Sequence, residues 1–430
     1  MLKSFRGKQI EIILHIESGT FFFQNIPETC FSISDENDLI ENFKVAKKTV
    51  VTDYNNKLLL SEGIVFLTDD CNMACPYCFV GEKNRHGAMT EDTAYKTLSF
   101  FRSNTDPQER FSLVFFGGEP LIEFPLMKKI TAEAKRLFGR QVGFSITTNA
   151  LLLNDEITDF FLEENITPLF SLDGPPFIND RFRSSGFKIE ENLLRAKKLG
   201  LPIGVRVTYT PDYFKLSEIC DYFRNLGCFS VIISPVSHPK MLFSAEKLSE
   251  LHSELDNLYK IQIREFLETG KIGMRVNSFE FGIQDIFFTK PRKPCSAGRH
   301  SVAVLPNGDL IPCGRFAENK EFILGNVSQK TCWNSRMCNW QGPGEQLKCN
   351  ECWLKGICGG GCPGFLDNNL IENQCEFEKL NYEALLTSIS EIDNLQSISS
   401  LISHVKKNTE TLEKDYGIWE TENNTDEHNR

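Results

Sequence analysis

From about residue 63 to about residue 236, short apolar or β-branched runs alternate with stretches of helical period. The runs are GIVFL, FSLVFF, VGFSITT, ITPLFSL, PIGVRVTY and FSVIIS; among the intervening stretches are EDTAYKTLSFFRS, PLMKKITAEAKRLF, NDEITDFFLEEN and SEICDYFRNL. Apolar positions at i, i+3 and i+4 predict a helix, and a short continuous apolar run predicts a strand covered on both faces. Strands that alternate with helices form βαβ units, so the class is α/β with a parallel sheet. No G-x-G-x-x-G follows the first strand, which argues against a dinucleotide fold. The pattern predicts a partial (β/α)6 barrel over residues 63–285, with its chemistry on the loops that follow the strands.

The flanks have a different texture. Residues 1–62 predict a small N-terminal domain: a hairpin of IEIILHI and TFFFQN around a Gly turn, then a helix in SDENDLIENFKVAKK that starts at Ser34 or Asp35. Residues 286–376 form a loop-rich, cysteine-bearing domain. Residues 377–430 have helical period and then end in WETENNTDEHNR, a polar tail expected to be disordered.

Composition narrows the function classes. The chain has 430 residues, 41% hydrophobic and 24% charged, an ordinary globular balance. A net charge of −11 without a basic stripe argues against nucleic acid as a partner. No signal-peptide core or membrane-length apolar stretch is present, so the expectation is a cytoplasmic protein with no membrane partner. Fifteen cysteines in a reducing compartment point to metal ligation over disulfides.

The unusual residues gather at strand ends. GIVFL leads into TDDCNMACPYC, FSLVFF into GGEP, VGFSITT into NA and ITPLFSL into DGP. Taken singly, GGEP and DGP are ordinary turn chemistry; on one rim of a barrel they can build one site. Cys71, Cys75 and Cys78, at i, i+4 and i+7, can wrap a cuboidal iron–sulfur cluster and leave its fourth iron without a protein ligand. A structural zinc site needs a fourth ligand, for which His86 is the nearby candidate.

CNMACPYCF and FFGGEPL at 115–121 resemble the CxxxCxxC and GGEP motifs of radical S-adenosylmethionine (SAM) enzymes, over roughly residues 63–376. The resemblance implies that Cys71, Cys75 and Cys78 hold a [4Fe–4S] cluster whose open iron chelates SAM. It also implies that Gly117, Gly118 and Glu119 border the methionine amine, Ser171 the ribose, Tyr77 and Phe79 the adenine side, and Arg183 the methionine carboxylate. Arg181 competes with Arg183 for that last role. One-electron cleavage of the sulfonium would give a 5′-deoxyadenosyl radical that abstracts a substrate hydrogen. It needs an external one-electron reductant, such as a flavodoxin- or ferredoxin-like protein.

A second cysteine field runs from Cys295 through Cys313 and CNECWLKGICGGGC to Cys375. Cys349 and Cys352 alone are compatible with a zinc ribbon. The full order resembles the SPASM extension of peptide-modifying radical enzymes, which implies two auxiliary iron–sulfur clusters. By that likeness Cys349, Cys352, Cys358 and Cys375 ligate the outer one, and Cys295, Cys313 and Cys362 the inner one. The inner cluster then has an open iron unless Cys332, Cys338 or the substrate fills it. Sulfatase-maturing enzymes, similar in layout, have a further cysteine after the first of these and an Asp after the next. Here residues 296–312 hold no cysteine and Gly314 follows Cys313. Cys30, Cys220, Cys228, Cys332 and Cys338 are expected to be buried small hydrophobes or spare thiols.

The expected function is abstraction of a hydrogen atom from a ribosomally made precursor peptide to install a thioether or carbon–carbon crosslink. No general base is assigned. A sulfatase-type or other protein-cofactor maturase is the alternative enzyme, and a non-catalytic iron–sulfur or zinc binding module is the alternative of another class. The N-terminal hairpin and helix resemble a short version of the leader-gripping domain of peptide maturases; a packing appendage is the other reading of the same residues.

Overall fold

The computed structural model describes residues 2–15, 20–25, 59–80, 87–287, 295–329, 349–355, 357–358, 361–362, 364 and 368–415. The predicted strands become β4 (Glu62–Phe66), β5 (Phe111–Phe116), β6 (Val142–Thr148), β7 (Ile166–Ser171), β8 (Gly204–Tyr209) and β9 (Ser230–Pro235), parallel and adjacent in chain order. With the helices between them they form the partial barrel. Their side chains are buried because helices cover the sheet, as the continuous apolar runs require.

The helices are α1 (Glu91–Ser103), α2 (Phe124–Phe138), α3 (Asp155–Glu164), α4 (Pro176–Phe182), α5 (Gly186–Lys198), α6 (Leu216–Leu226), α7 (Ala245–Thr269), α8 (Asn277–Phe287), α9 (Asn368–Ser390) and α10 (Leu395–Asp415). Local chemistry fixes their starts. Thr90 Oγ1 accepts the Thr93 N–H at 3.2 Å and Asn154 Oδ1 the Ile157 N–H at 3.0 Å, caps each worth about 1 kcal/mol. None of the described helices is long and apolar enough to cross a membrane.

The sheet extends beyond the expected six strands at both edges. β10 (Arg275–Val276) joins β9 in parallel; β11 (Ser301–Val304) joins β4 in parallel and carries β12 (Asp309–Ile311) and β13 (Gly325–Asn326) antiparallel. β10 is too short to stand out as an apolar run. The β11 contact means that the sheet continues into the cysteine-rich segment, which brings Cys313 to the barrel rim.

The N-terminal hairpin is β2 (Ile10–His15) with β3 (Thr20–Asn25), and β1 (Leu2–Arg6) adds a third antiparallel strand beside β2. The expected helix at Ser34 or Asp35 lies outside the described residues. Phe5, Ile10, Ile12 and Leu14 are buried and continuous with the barrel core. The Phe5 ring lies 5.7 Å from that of Trp353, and Phe23 stacks on Phe287 at 5.5 Å. Each such buried side chain contributes about 1.5–3 kcal/mol, so this sheet is part of the packed body whatever else it binds.

Candidate active site

The cysteine loop takes its shape from the barrel. Leu67 N–H donates to Phe116 O at 3.0 Å, Gly118 N–H to Thr68 O at 2.8 Å and Glu119 N–H to Asp70 O at 2.8 Å. These bonds join the loop after β4 to the loop after β5, main chain to main chain. Gly117 has φ +142°, and a Cβ there or at Gly118 would overlap the carbonyl of Thr68 or Asp70. The glycines therefore serve close backbone approach as well as bordering the cavity. Farther along, Cys78 N–H donates to Cys75 O at 3.1 Å, and Asn149 Nδ2, from the loop after β6, donates to Asn72 Oδ1 at 2.7 Å.

Cys71, Cys75 and Cys78 line a cavity of ≈ 290 Å³ on the rim formed by the strand C-termini. Tyr77, Phe79, Gly117, Gly118, Glu119, Ser171 and Arg183 line it too, so the structure brings all these sequence-predicted residues together. Arg181 does not line it, and its guanidinium lies over the Phe182 ring at 5.5 Å. Burial pushes the Cys71 thiol up, and pushes Cys75 up to about 11 against the pull of Arg183. With their pKa values raised these two thiols stay protonated at neutral pH, and iron would have to displace the protons.

Two carboxylates organise the walls. Glu119 is buried and accepts from Thr148 Oγ1 at 2.6 Å, Asn149 N–H at 2.8 Å and Leu121 N–H at 3.0 Å. Burial raises its pKa, and these three donors oppose the rise. Asp173 ties the opposite wall: it accepts from the Tyr77 hydroxyl, from Arg183 Nε at 3.0 Å and from Thr208 N–H at 2.9 Å. Arg183 lies over the Tyr77 ring at 5.4 Å. Burial, joined by the Asp173 charge, pushes the Tyr77 phenol up. Burial works against the Arg183 charge, but Asp173, Tyr77 and Cys75 outweigh it and hold the guanidinium above its ordinary value.

Sequence reasoning missed Asp173, Thr148, Asn149, Arg206 and Arg315. Asp173 was absorbed into the turn chemistry of DGP, although an Asp at a strand end with an Arg ten residues on is a pairing signal. Arg206 is the lone charge inside the apolar run PIGVRVTY, and that mismatch was the available clue. It lines the cavity beside Ser171, its register partner across β7 and β8. Burial, Arg315 and Arg183 together lower its pKa to about 10.

The second cysteine field meets the same cavity. Cys313, Gly314 and Arg315 line it, with Arg315 over the Phe79 ring at 5.6 Å and its Nη1 2.7 Å from Ser237 Oγ. Burial pushes the Cys313 thiol up to about 12, with Cys362 and Cys295 close enough to add to the rise. Cys349, Cys352 and Cys375 form another group: burial and then Cys352 raise Cys349, and burial, Cys349 and Cys352 raise Cys375. Cys358 N–H donates to Leu354 O at 2.9 Å in the same segment as Cys352. Among the described residues no three Cys, His, Asp or Glu side chains converge closely enough for one metal ion; a cubane is larger than an ion, and its thiolates need only surround it. Cys220 and Cys228 are buried, with thiols pushed up to about 12 by that burial. Cys30, Cys332 and Cys338 lie outside the described residues.

Comparison with known proteins bears on both fields. The family model described as "Radical SAM superfamily" matches residues 65–235, and SPASM, an "Iron-sulfur cluster-binding domain", matches residues 295–353. The chain is similar to a cysteine-type anaerobic sulfatase-maturating enzyme of Clostridium novyi, 22% identical over 75% of this chain and 94% of that one. In fold it is similar to a structure of anSMEcpe with bound AdoMet, at TM-score 0.63 and 19% identity over 80% of this chain and 98% of that one. It is also similar to Streptococcus suis SuiB bound to precursor peptide SuiA, at TM-score 0.54 and 15% identity over 80% and 83% of the two chains.

Proposed function

Since the chain belongs to the radical SAM superfamily and carries a SPASM iron–sulfur cluster-binding domain, we propose that it abstracts a hydrogen atom from a ribosomally made peptide and installs a thioether or carbon–carbon crosslink. The observation that carries this reading is the shared cavity: the three thiols of one loop and Cys313 of the SPASM segment line the same space. A substrate in that space is within reach of both halves of the chemistry.

The residues present fit the group that the family binds. Three thiols face a cavity also bordered by Glu119, Ser171 and Arg183. When bound, the [4Fe–4S] cluster and SAM supply a 5′-deoxyadenosyl radical. In this reading Cys71, Cys75 and Cys78 hold the cluster, Glu119 accepts the methionine amine, Ser171 meets the ribose, Arg183 the methionine carboxylate, and Tyr77 and Phe79 the adenine side. Asp173 fixes Arg183 through Nε, which leaves the two terminal nitrogens of the guanidinium for a carboxylate. Cys295, Cys313 and Cys362 hold an inner auxiliary cluster, and Cys349, Cys352, Cys358 and Cys375 an outer one. The proposed domain division is 1–62, 63–285, 286–376 and 377–430, with the N-terminal sheet as a candidate grip on the peptide leader.

A sulfatase-type maturase is the second reading, favoured by the likeness to the Clostridium novyi enzyme. Against it, Gly314 stands where that activity has an Asp, and a Cβ there would meet the Phe66 ring at 3.1 Å. Glu119 is the only carboxylate lining the cavity among the described residues, and it already holds three donors.

The test is anaerobic turnover with short peptides encoded beside the gene, read by mass spectrometry. A crosslink removes a pair of hydrogen atoms and joins two residues, so fragmentation between them disappears. Conversion of a lone Cys or Ser to an aldehyde would replace the crosslink reading with the maturase reading.

A further inference from the structure

Arg206 stands out among the cations of the cavity. Arg183 is paired with Asp173, and Arg315 donates to Ser237. Arg206 forms no ion pair and donates no side-chain hydrogen bond among the described residues, although it sits in the middle of β8 within an apolar strand. Of the two cations that act on it, Arg315 has the larger effect and Arg183 the smaller. A half-buried guanidinium that faces like charge and has no partner costs free energy unless an anion arrives.

Arg206 is in register with Ser171 and feels both Arg183 and Arg315, the latter more strongly. Arg183 belongs to the wall with Tyr77 and Cys75, whereas Arg315 borders both this cavity and a second one of ≈ 260 Å³ between the barrel and α9. The two cavities also share Ser234 and Pro235. Arg206 and Arg315 therefore border one continuous space that the SPASM segment helps to line.

We infer that Arg206, with Arg315 beside it, is a specificity site for a carboxylate of the substrate peptide, held next to the reacting carbon. This rests on the cavity being the radical SAM site. Two guanidinium groups suit a carboxylate because each presents parallel N–H donors to its two oxygens. The carboxylate can be an Asp or Glu side chain or a peptide C-terminus, and the chemistry is the same.

The test is calorimetric titration of the anaerobically reconstituted full chain, saturated with SAM, with blocked tripeptides. The probes are acetyl-Gly-Asp-Gly-amide, acetyl-Gly-Glu-Gly-amide, their Asn and Gln counterparts, and acetyl-Gly-Gly-Gly with a free carboxylate. At least one carboxylate probe should bind about tenfold more tightly than its uncharged counterpart, and Arg206→Gln should remove that margin. Which probe gains separates a side chain from a C-terminus. Arg206→Met is the second variant, used if the first fails to load iron. Iron content and SAM affinity within about threefold of the parent are the control. Equal binding of all probes by the parent overturns the inference, as does a margin that survives in the variants. A variant that instead loses SAM affinity or auxiliary iron would assign Arg206 to the cofactor or cluster, and overturns it too. A parent chain that neither holds iron on the Cys71 loop nor binds SAM would defeat the radical SAM reading itself, a result distinct from each of these.

Discussion

The two cysteine fields are held in different ways. The Cys71 loop is bonded through its main chain to a neighbouring strand end, at Thr68 and Asp70, and through Asn72 and Tyr77 to the loops after β6 and β7. The Cys349 segment makes its described main-chain bonds within itself: Cys352 N–H to Cys349 O, Ile357 N–H to Leu354 O and Cys358 N–H to Leu354 O. What fixes it to the body is side-chain packing, with Leu354 and Ile357 buried and Trp353 against Phe5 and under Lys3 at 3.8 Å. A barrel rim pre-shapes the first site, so its cluster adds chemistry. In the second, the proposed cluster would also supply folding energy.

The largest effect should come from the first loop. Replacing Cys71, Cys75 and Cys78 together by Ala should abolish reductive SAM cleavage and lower iron from about twelve to about eight per chain. Circular dichroism should report an almost unchanged thermal midpoint. Cys352→Ala or Cys358→Ala should also remove about four irons, but here the midpoint should fall by several degrees, peptide turnover should cease and some uncoupled SAM cleavage should persist. Equal thermal shifts in the two sets would erase the contrast between pre-shaped and cluster-dependent sites.

Much of this contrast was legible in the sequence. The apolar runs and their helical spacers located β4 to β9, and the cysteine spacing marked both fields. Less legible were contacts that join distant segments. β11 reads as SVAV in a loop-rich stretch, and only its pairing with β4 makes it part of the sheet. Asp173 looked like part of a turn because its partners Tyr77 and Thr208 lie 96 and 35 residues away. The added strand β1 was missed because a five-residue strand with one buried position, Phe5, has little pattern to read.

A smaller effect should follow from loosening the wall that Asp173 ties together through Tyr77 and Arg183. Tyr77→Phe deletes a hydrogen bond to the charged Asp173, a change of about 1.5–3 kcal/mol. It should weaken SAM binding about tenfold, measured by equilibrium dialysis, while iron content stays at the parent value. Unchanged affinity would mean that Asp173 holds Arg183 in place without the phenol.

The smallest effect is chemical. In the iron-free chain, iodoacetamide at mild alkaline pH should label Cys71, Cys78 and Cys295, whose side chains reach solvent even though surrounding atoms raise the Cys71 thiol, before it modifies the buried Cys220 and Cys228. Reconstitution should protect the first set without changing the second. Labelling of Cys220 at the rate of Cys71 would contradict its burial in α6.

The most direct measurement is iron anomalous scattering from crystals of the anaerobically reconstituted, SAM-soaked chain. The account predicts iron density enclosed by Cys71, Cys75 and Cys78 with SAM against it, and separate iron density at Cys295, Cys313 and Cys362 and at Cys349, Cys352, Cys358 and Cys375. A single zinc ion on the Cys71 loop, or SAM bound away from Glu119, Ser171 and Arg183, would contradict it.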